Sequence, residues 1–218
     1  MLRSLLRTLA LDFGASPGLE RYVPKIPEPG PRNVTVTGDE KEMILRAASP
    51  SLRCFLLLCS DLAIRSGTAV TIAPQHYNRE RNELSFTTKK GAAVTLQVTA
   101  ELRRIFESAE RCPSNTSYVA FLSTKARRKG TISAASCVQT YNLLKRNLGI
   151  DRRFTPHDYR RTTAVRVLEV TGDIRQVQAT LGHKRLRNTV HYLDHNLTKV
   201  SVATLELAKL PPTTETIQ

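Results

Sequence analysis

Between Glu83 and Val98 the chain changes its period. The stretch ELSFTT-KKG-AAVTLQV holds two short β-prone runs around a Gly-containing turn, which predicts an antiparallel hairpin with Lys89 and Lys90 at its tip. On both sides the spacing is helical, so a hairpin is only a small part of the fold. Upstream, Thr37 and Glu40 form a T-x-x-E capping-box signature that opens a helix to about Ala48. A second helix from Ser51 carries Phe55, Leu56, Cys59, Leu62 and Ala63 on one buried face and ends near Gly67, with Arg65 at its C-terminal end. Downstream, helices are expected from Thr99 to Glu110 and from Ser133 to Leu148, the latter stopped by Gly149, and the segment from His157 to Leu181 reads as two helices broken at Gly172. Tyr118 to Ser123 is read as a third strand. The expected class is α+β, mainly α-helical, with a small antiparallel three-stranded sheet.

The ends differ from this body. Leu2, Leu5, Leu6 and Leu9 lie at helical spacing, and Pro24, Pro27, Pro29 and Pro31 then forbid helix and favour an extended connector. Residues 1–32 therefore read as a terminal helix plus linker, the remnant of a preceding domain, and residues 33–218 as the main domain. Asn196 to Leu210 makes a last amphipathic helix ahead of a polar tail.

Lysine and arginine outnumber acids 33 to 19 in 218 residues, a formal net charge of +14 that recurs along the whole chain. Closely spaced phosphates reward distributed cations through counterion release, so a nucleic acid is the first partner expected. The KARRKG loop, with Lys125, Arg127, Arg128 and Lys129, has two open readings, a phosphate contact or a solvated turn. Cys54, Cys59, Cys112 and Cys137 form no C-x-x-C pair and read as reduced structural thiols of a cytoplasmic protein; no zinc or other metal site is expected. The apolar start is too short and too charged for a membrane span or signal peptide.

The densest chemical signal is HDYRR at 157–161, followed by LGHKRLRNTVHY at 181–192. His157 and Arg160 are three apart, so on a helix they share a face and can grip one anion. Gly182 can end a helix and aim His183 into a cleft, and Tyr192 follows nine residues later.

In these residues the chain resembles the tyrosine recombinases, the phage-integrase-type site-specific recombinases. Arg65 in AIRSG matches the family's first arginine, Lys89 in TTKKG its hairpin lysine, His157 and Arg160 its H-x-x-R pair, His183 its LGH histidine and Tyr192 its nucleophile. The match spans roughly residues 33–210, the catalytic domain, and implies that residues 1–32 are the end of a core DNA-binding domain. Thr68 stands where the family often has an acid, Arg161 where it commonly has histidine, and Lys90 competes with Lys89 for the hairpin role. Lys184 and Arg185 extend the cationic set beside the LGH corner.

The resemblance implies a site-specific recombinase or integrase acting on double-stranded DNA through a 3′-phosphotyrosyl intermediate, as a tetramer on DNA. Guanidiniums suit a pentacoordinate phosphorane, whose added charge falls on non-bridging oxygens that planar, forked donors hold in pairs. A tyrosine needs a base or a positive field to attack at neutral pH, because its free pKa is about 10. His157 is placed as that base and Lys89 as the acid for the 5′-oxygen. No cofactor is required. Two alternatives stay open: a type IB topoisomerase-like relaxase, which shares the chemistry, and a truncated recombinase-like protein that binds DNA without completing the reaction. The segment beyond Tyr192 either packs on its own domain or docks on a neighbouring protomer.

Overall fold

The computed structural model describes residues 34–88, 91, 93–183, 186, 189 and 190. The helix and linker expected over residues 1–32, the cations Lys89, Lys90, Lys184 and Arg185, the tyrosine Tyr192 and the helix expected over 196–210 lie outside the described residues.

Helix α1 (Gly38–Ala47) begins where the sequence places its capping box: the Glu40 N–H donates to Thr37 Oγ1 at 3.2 Å and the Thr37 N–H donates to Glu40 Oε2 at 2.9 Å. Helix α2 (Pro50–Ser60) follows, with Ser49 as cap and Pro50 at its first position, where a missing N–H costs nothing. A short helix α3 (Ser66–Ala69) leads to strand β1 (Tyr77–Asn78), then β2 (Glu83–Thr87) and β3 (Ala93–Gln97). Helices α4 (Ala100–Ser108), α5 (Tyr118–Phe121), α6 (Ala134–Asn147), α7 (Pro156–Thr171) and α8 (Ile174–Leu181) complete the order.

Nine of the eleven α2 residues are buried, so this helix forms an axis covered on all sides, and α4, α5, α6 and α7 pack around it. The sheet is antiparallel in the order β1-β2-β3, with Leu84 opposite Leu96 and Phe86 opposite Val94. Leu84 faces the core, while Ser85 and Thr95 pair their hydroxyls at 3.0 Å on the exposed face. Tyr118 stacks on Phe106 with ring centroids 4.3 Å apart, and Phe106 meets Tyr77 at 5.0 Å, which joins the sheet to α4 and α5. All four cysteines are free and buried, as expected of structural thiols. Burial pushes the Cys59 thiol up to about 12, so it stays protonated. Among the described residues no helix is long and apolar enough to cross a membrane.

Two expectations are corrected. The third strand is Tyr77–Asn78, and Tyr118–Phe121 is helical: the Ala120 N–H donates to the Ser117 hydroxyl, and the apolar run lacks the polar alternation of a half-buried strand. Helix α2 also stops earlier than its apolar periodicity suggests. The chain leaves it at Asp61, Ala63 adopts φ +50, and Arg65 becomes the extended N-cap of α3 instead of a helix C-terminus. Tertiary partners cause the break, since the Thr163 hydroxyl takes the Ser60 carbonyl and the Arg160 guanidinium takes that of Ala63.

At its C-terminal end α8 closes on Gly182 in the left-handed region (φ +58), and a Cβ there would stand 3.0 Å from Val94 Cγ2 of β3. Gly182→Ala is therefore expected to destabilise the protein by about 1–2 kcal/mol from backbone strain alone, before the β3 contact adds to it. Chemical denaturation checks this; an unchanged midpoint would mean that the corner relaxes freely.

Candidate active site

Helix α7 starts with Thr155 as N-cap and Pro156 at its first position, and the Thr155 N–H donates to Asp158 Oδ2 at 2.7 Å. This cap fixes the helix phase over HDYRR. His157 falls at the surface and Arg160, one turn on, points inward and is 3 % exposed. The H-x-x-R pair thus supplies one accessible ring and one buried guanidinium.

Arg160 ties three segments together. Its Nη1 donates to the Ala63 carbonyl, in the loop between α2 and α3, and its Nη2 donates to the Leu181 carbonyl at the end of α8. The same Nη2 lies 3.3 Å from His183 Nε2. A small apolar cluster of Ala63, Ala164, Val165, Leu168, Val177 and Leu181 holds α7, α8 and the loop in register around it. Lysine has one terminal nitrogen and no fork, so this bridging suits arginine.

Arg65 follows Ala63 by two residues and lies half-buried. It lines a cleft together with Thr68, Arg160, Leu181, Gly182 and the hairpin residues Phe86, Thr88, Val94 and Leu96. Among the described residues no acidic side chain lines that cleft. Thr68, where an acid is common in the resembling family, faces the same space without supplying a counter-charge. Two arginines lining one cleft, with no acid among the described residues beside them, create a field suited to an anion.

Partial burial, followed by the charge of Arg160, lowers the His157 pKa below its ordinary value of 6.5; Asp158 opposes the shift and Arg65 adds to it. His157 is therefore neutral at pH 7 and able to accept a proton. His183 is buried beyond the LGH corner, with its Nδ1 3.1 Å from the Thr189 hydroxyl. Its N–H donates to the Gln178 carbonyl at 3.0 Å, and Gln178 Nε2 donates to its carbonyl at 2.8 Å.

Arg65, the His157–Arg160 pair of α7 and His183 thus come to one region from three separate stretches of chain. Lys89 and Lys90 lie outside the described residues, but the preceding residue, Thr88, lines the cleft. Tyr192, Lys184 and Arg185 also lie outside them. The KARRKG loop contains a single helical turn (Arg127–Lys129) ended by Gly130 at φ +64, with Lys125, Arg127, Arg128 and Lys129 exposed. Arg127 stands 4.3 Å over the Phe121 ring, so its stem is held while its charge stays at the surface. Ala63, Gln178 and Thr189 escape a reading of the sequence because their parts here are a carbonyl, a backbone clamp and a hydroxyl contact across a turn. No residue spacing announces such contacts.

Residues 35–199 match the model of the phage integrase family. The chain is 26 % identical over 212 residues to a putative integrase/recombinase, y4qK, of Sinorhizobium fredii, covering 93 % of this chain and 67 % of that relative. It is 28 % identical over 220 residues to tyrosine recombinase XerA of Thermococcus kodakarensis, covering 95 % of this chain and 71 % of the relative. Its fold is similar to that of lambda integrase (residues 75–356), solved as a dimer bound to a core site, with a TM-score of 0.64, 16 % identity, and coverage of 88 % and 69 % of the two chains. The chain therefore belongs to the phage integrase family, the tyrosine-type site-specific DNA recombinases.

Proposed function

We propose that the cleft lined by Arg65 and Arg160 receives the scissile phosphate of duplex DNA, and that Tyr192 attacks it. The observation that carries this reading is the convergence of two arginines on a cleft that no carboxylate among the described residues lines. A phosphodiester supplies the missing negative charge, and the transition state increases it. The Tyr192 oxygen forms the new bond to phosphorus while the bond to the 5′-oxygen breaks. His157 accepts the tyrosine proton, and Lys89 delivers a proton to the departing 5′-oxygen. The phosphotyrosyl bond keeps the energy of the broken linkage, so a 5′-hydroxyl from another strand reverses the step. The exposed cations Lys125, Arg127, Arg128 and Lys129, together with Lys90, Lys184 and Arg185, contact backbone phosphates and contribute affinity without base recognition. On DNA the protein works as a tetramer, with the segment beyond Tyr192 docking on a neighbouring protomer.

The test is covalent capture. A nicked duplex selected from a randomised pool is expected to trap a protein–DNA adduct whose modified peptide contains residue 192. Failure to trap any member of the pool would leave a DNA-binding protein without strand cleavage. Relaxation of supercoiled plasmid lacking the selected site would identify a topoisomerase.

The depressed pKa of His157 sets the pH response. A base is active when unprotonated, so single-turnover cleavage is expected to rise through a pKa below 6.5 and to be flat from there to about pH 8. His157→Gln is expected to lower the plateau about 10²-fold and erase the acidic limb. A limb that survives in that variant assigns the base elsewhere.

A further inference from the structure

We infer that Thr189 is a positioning residue of this site, one that receives the Nδ1 proton of His183 and so holds the ring edge presented to the phosphate; the inference rests on His183 serving the phosphate site proposed above. Thr189 is fully buried, and its Oγ1 lies 3.1 Å from His183 Nδ1. On the opposite edge of the ring, Nε2 lies 3.3 Å from Arg160 Nη2. A guanidinium has hydrogens to give and no lone pair to receive, so Nε2 accepts at that contact. A neutral imidazole has a single ring proton, which then sits on Nδ1 and is donated to the Thr189 hydroxyl.

The backbone of His183 is held independently by Gln178, which accepts from its N–H and donates to its carbonyl. What remains to be set is the location of the ring proton, which the donor-only Arg160 assigns to Nδ1, and the rotation of the ring, which the Thr189 hydroxyl holds by accepting that proton. With Nδ1 occupied, any second proton taken up by the ring goes to Nε2, on the edge beside Arg160. There it becomes a donor to a phosphate oxygen held by the same guanidinium. Removing the hydroxyl leaves the buried Nδ1–H without this acceptor, so the ring is no longer held with Nε2 against Arg160.

Two measurements test this. In protein labelled with ¹⁵N-histidine and free of DNA, the His183 signals, assigned with His183→Asn, are expected to report the Nδ1–H tautomer. An Nε2–H tautomer would overturn the inference, whatever His183 does in catalysis. In single-turnover cleavage of the captured duplex, Thr189→Val is expected to lose about tenfold to hundredfold. Thr189→Ser is expected to recover most of that loss, and Thr189→Val is expected to add nothing in a His183→Ala background. Full activity in Thr189→Val, or a loss that multiplies with that of His183→Ala, would also overturn it. If His183→Ala cleaves like the wild type, the phosphate role of His183 falls, and the tautomer measurement still judges Thr189. If Thr189→Val does not fold, the spectrum of the unaltered protein decides.

Discussion

Tyr192→Phe is expected to abolish the covalent adduct, by about 10⁴-fold or more, while leaving binding of the captured duplex within a few-fold of the wild type. The change deletes one oxygen and keeps the ring, so what it removes is only the atom proposed to attack. The described residues indicate why no other tyrosine should substitute. The chain has six tyrosines. Tyr118, Tyr141 and Tyr159 are buried, and burial raises the pKa of each phenol, that of Tyr159 up to about 12. A phenol shut away from a DNA duplex and resistant to ionisation is a poor nucleophile. The Tyr77 hydroxyl donates to Asn82 Oδ1 at 3.0 Å, and its ring rests against Phe106. Tyr22 precedes the segment that matches the family model. Tyr22→Phe should accordingly form adduct at the wild-type rate. Adduct persisting in Tyr192→Phe would refute the assignment, and phosphopeptide mapping of that adduct would identify the true nucleophile.

The same residues mark how far the sequence was legible. Features that depend on neighbours along the chain were readable: the Thr37 capping box, the β2–β3 hairpin, and the stops at Gly149 and Gly172, both in the left-handed region. The H-x-x-R and LGH segments were readable for the same reason, because helix pitch and a glycine stop decide which way their side chains face. Arg65 is the instructive failure of local reading. Apolar periodicity carries the second helix through Leu62 and Ala63, but the helix ends at Ser60 because Thr163 and Arg160, about a hundred residues away in the chain, take the carbonyls of Ser60 and Ala63. Ala63 then occupies a backbone region that an alanine seldom adopts, and Arg65 leaves the helix to face the cleft. The family resemblance points to the residue, but its setting depends on long-range hydrogen bonds that no local pattern contains. Tyr118–Phe121 failed for a related reason: four apolar residues fit a buried strand or one helical turn, and Ser117 as a cap decides between them.

That dependence makes Arg160 the residue whose loss should be felt twice. Arg160→Ala is expected to abolish detectable cleavage, a fall of at least about 10²–10³-fold, because one of the two guanidiniums proposed to answer the growing phosphorane charge is gone. It is also expected to destabilise the protein by about 2–4 kcal/mol, since the carbonyls of Ala63 and Leu181, both in buried residues, lose their donor. Removing a buried charge offsets part of this, so the estimate stays below the sum of two fully orphaned acceptors. Arg160→Lys separates the two roles. It keeps the positive charge, but its single ammonium cannot replace a fork that spans the Ala63 loop and the α8 terminus. The lysine variant should bind DNA nearly as well as the wild type, recover part of the stability, and still cleave about 10²-fold more slowly. If instead it cleaves at the wild-type rate, then charge alone suffices and the bridging geometry has no part in catalysis. If Arg160→Ala melts like the wild type, the loop carrying Arg65 is held in place by other contacts, and the mechanical link between the two arginines is wrong. Arg65→Ala provides the comparison, because Arg65 heads the short helix α3 without a side-chain cap and caps no carbonyl of the Arg160 set. It should lose cleavage on a similar scale with a melting temperature close to that of the wild type, so that one arginine acts on the phosphate alone and the other acts on the phosphate and on the frame that holds its partner.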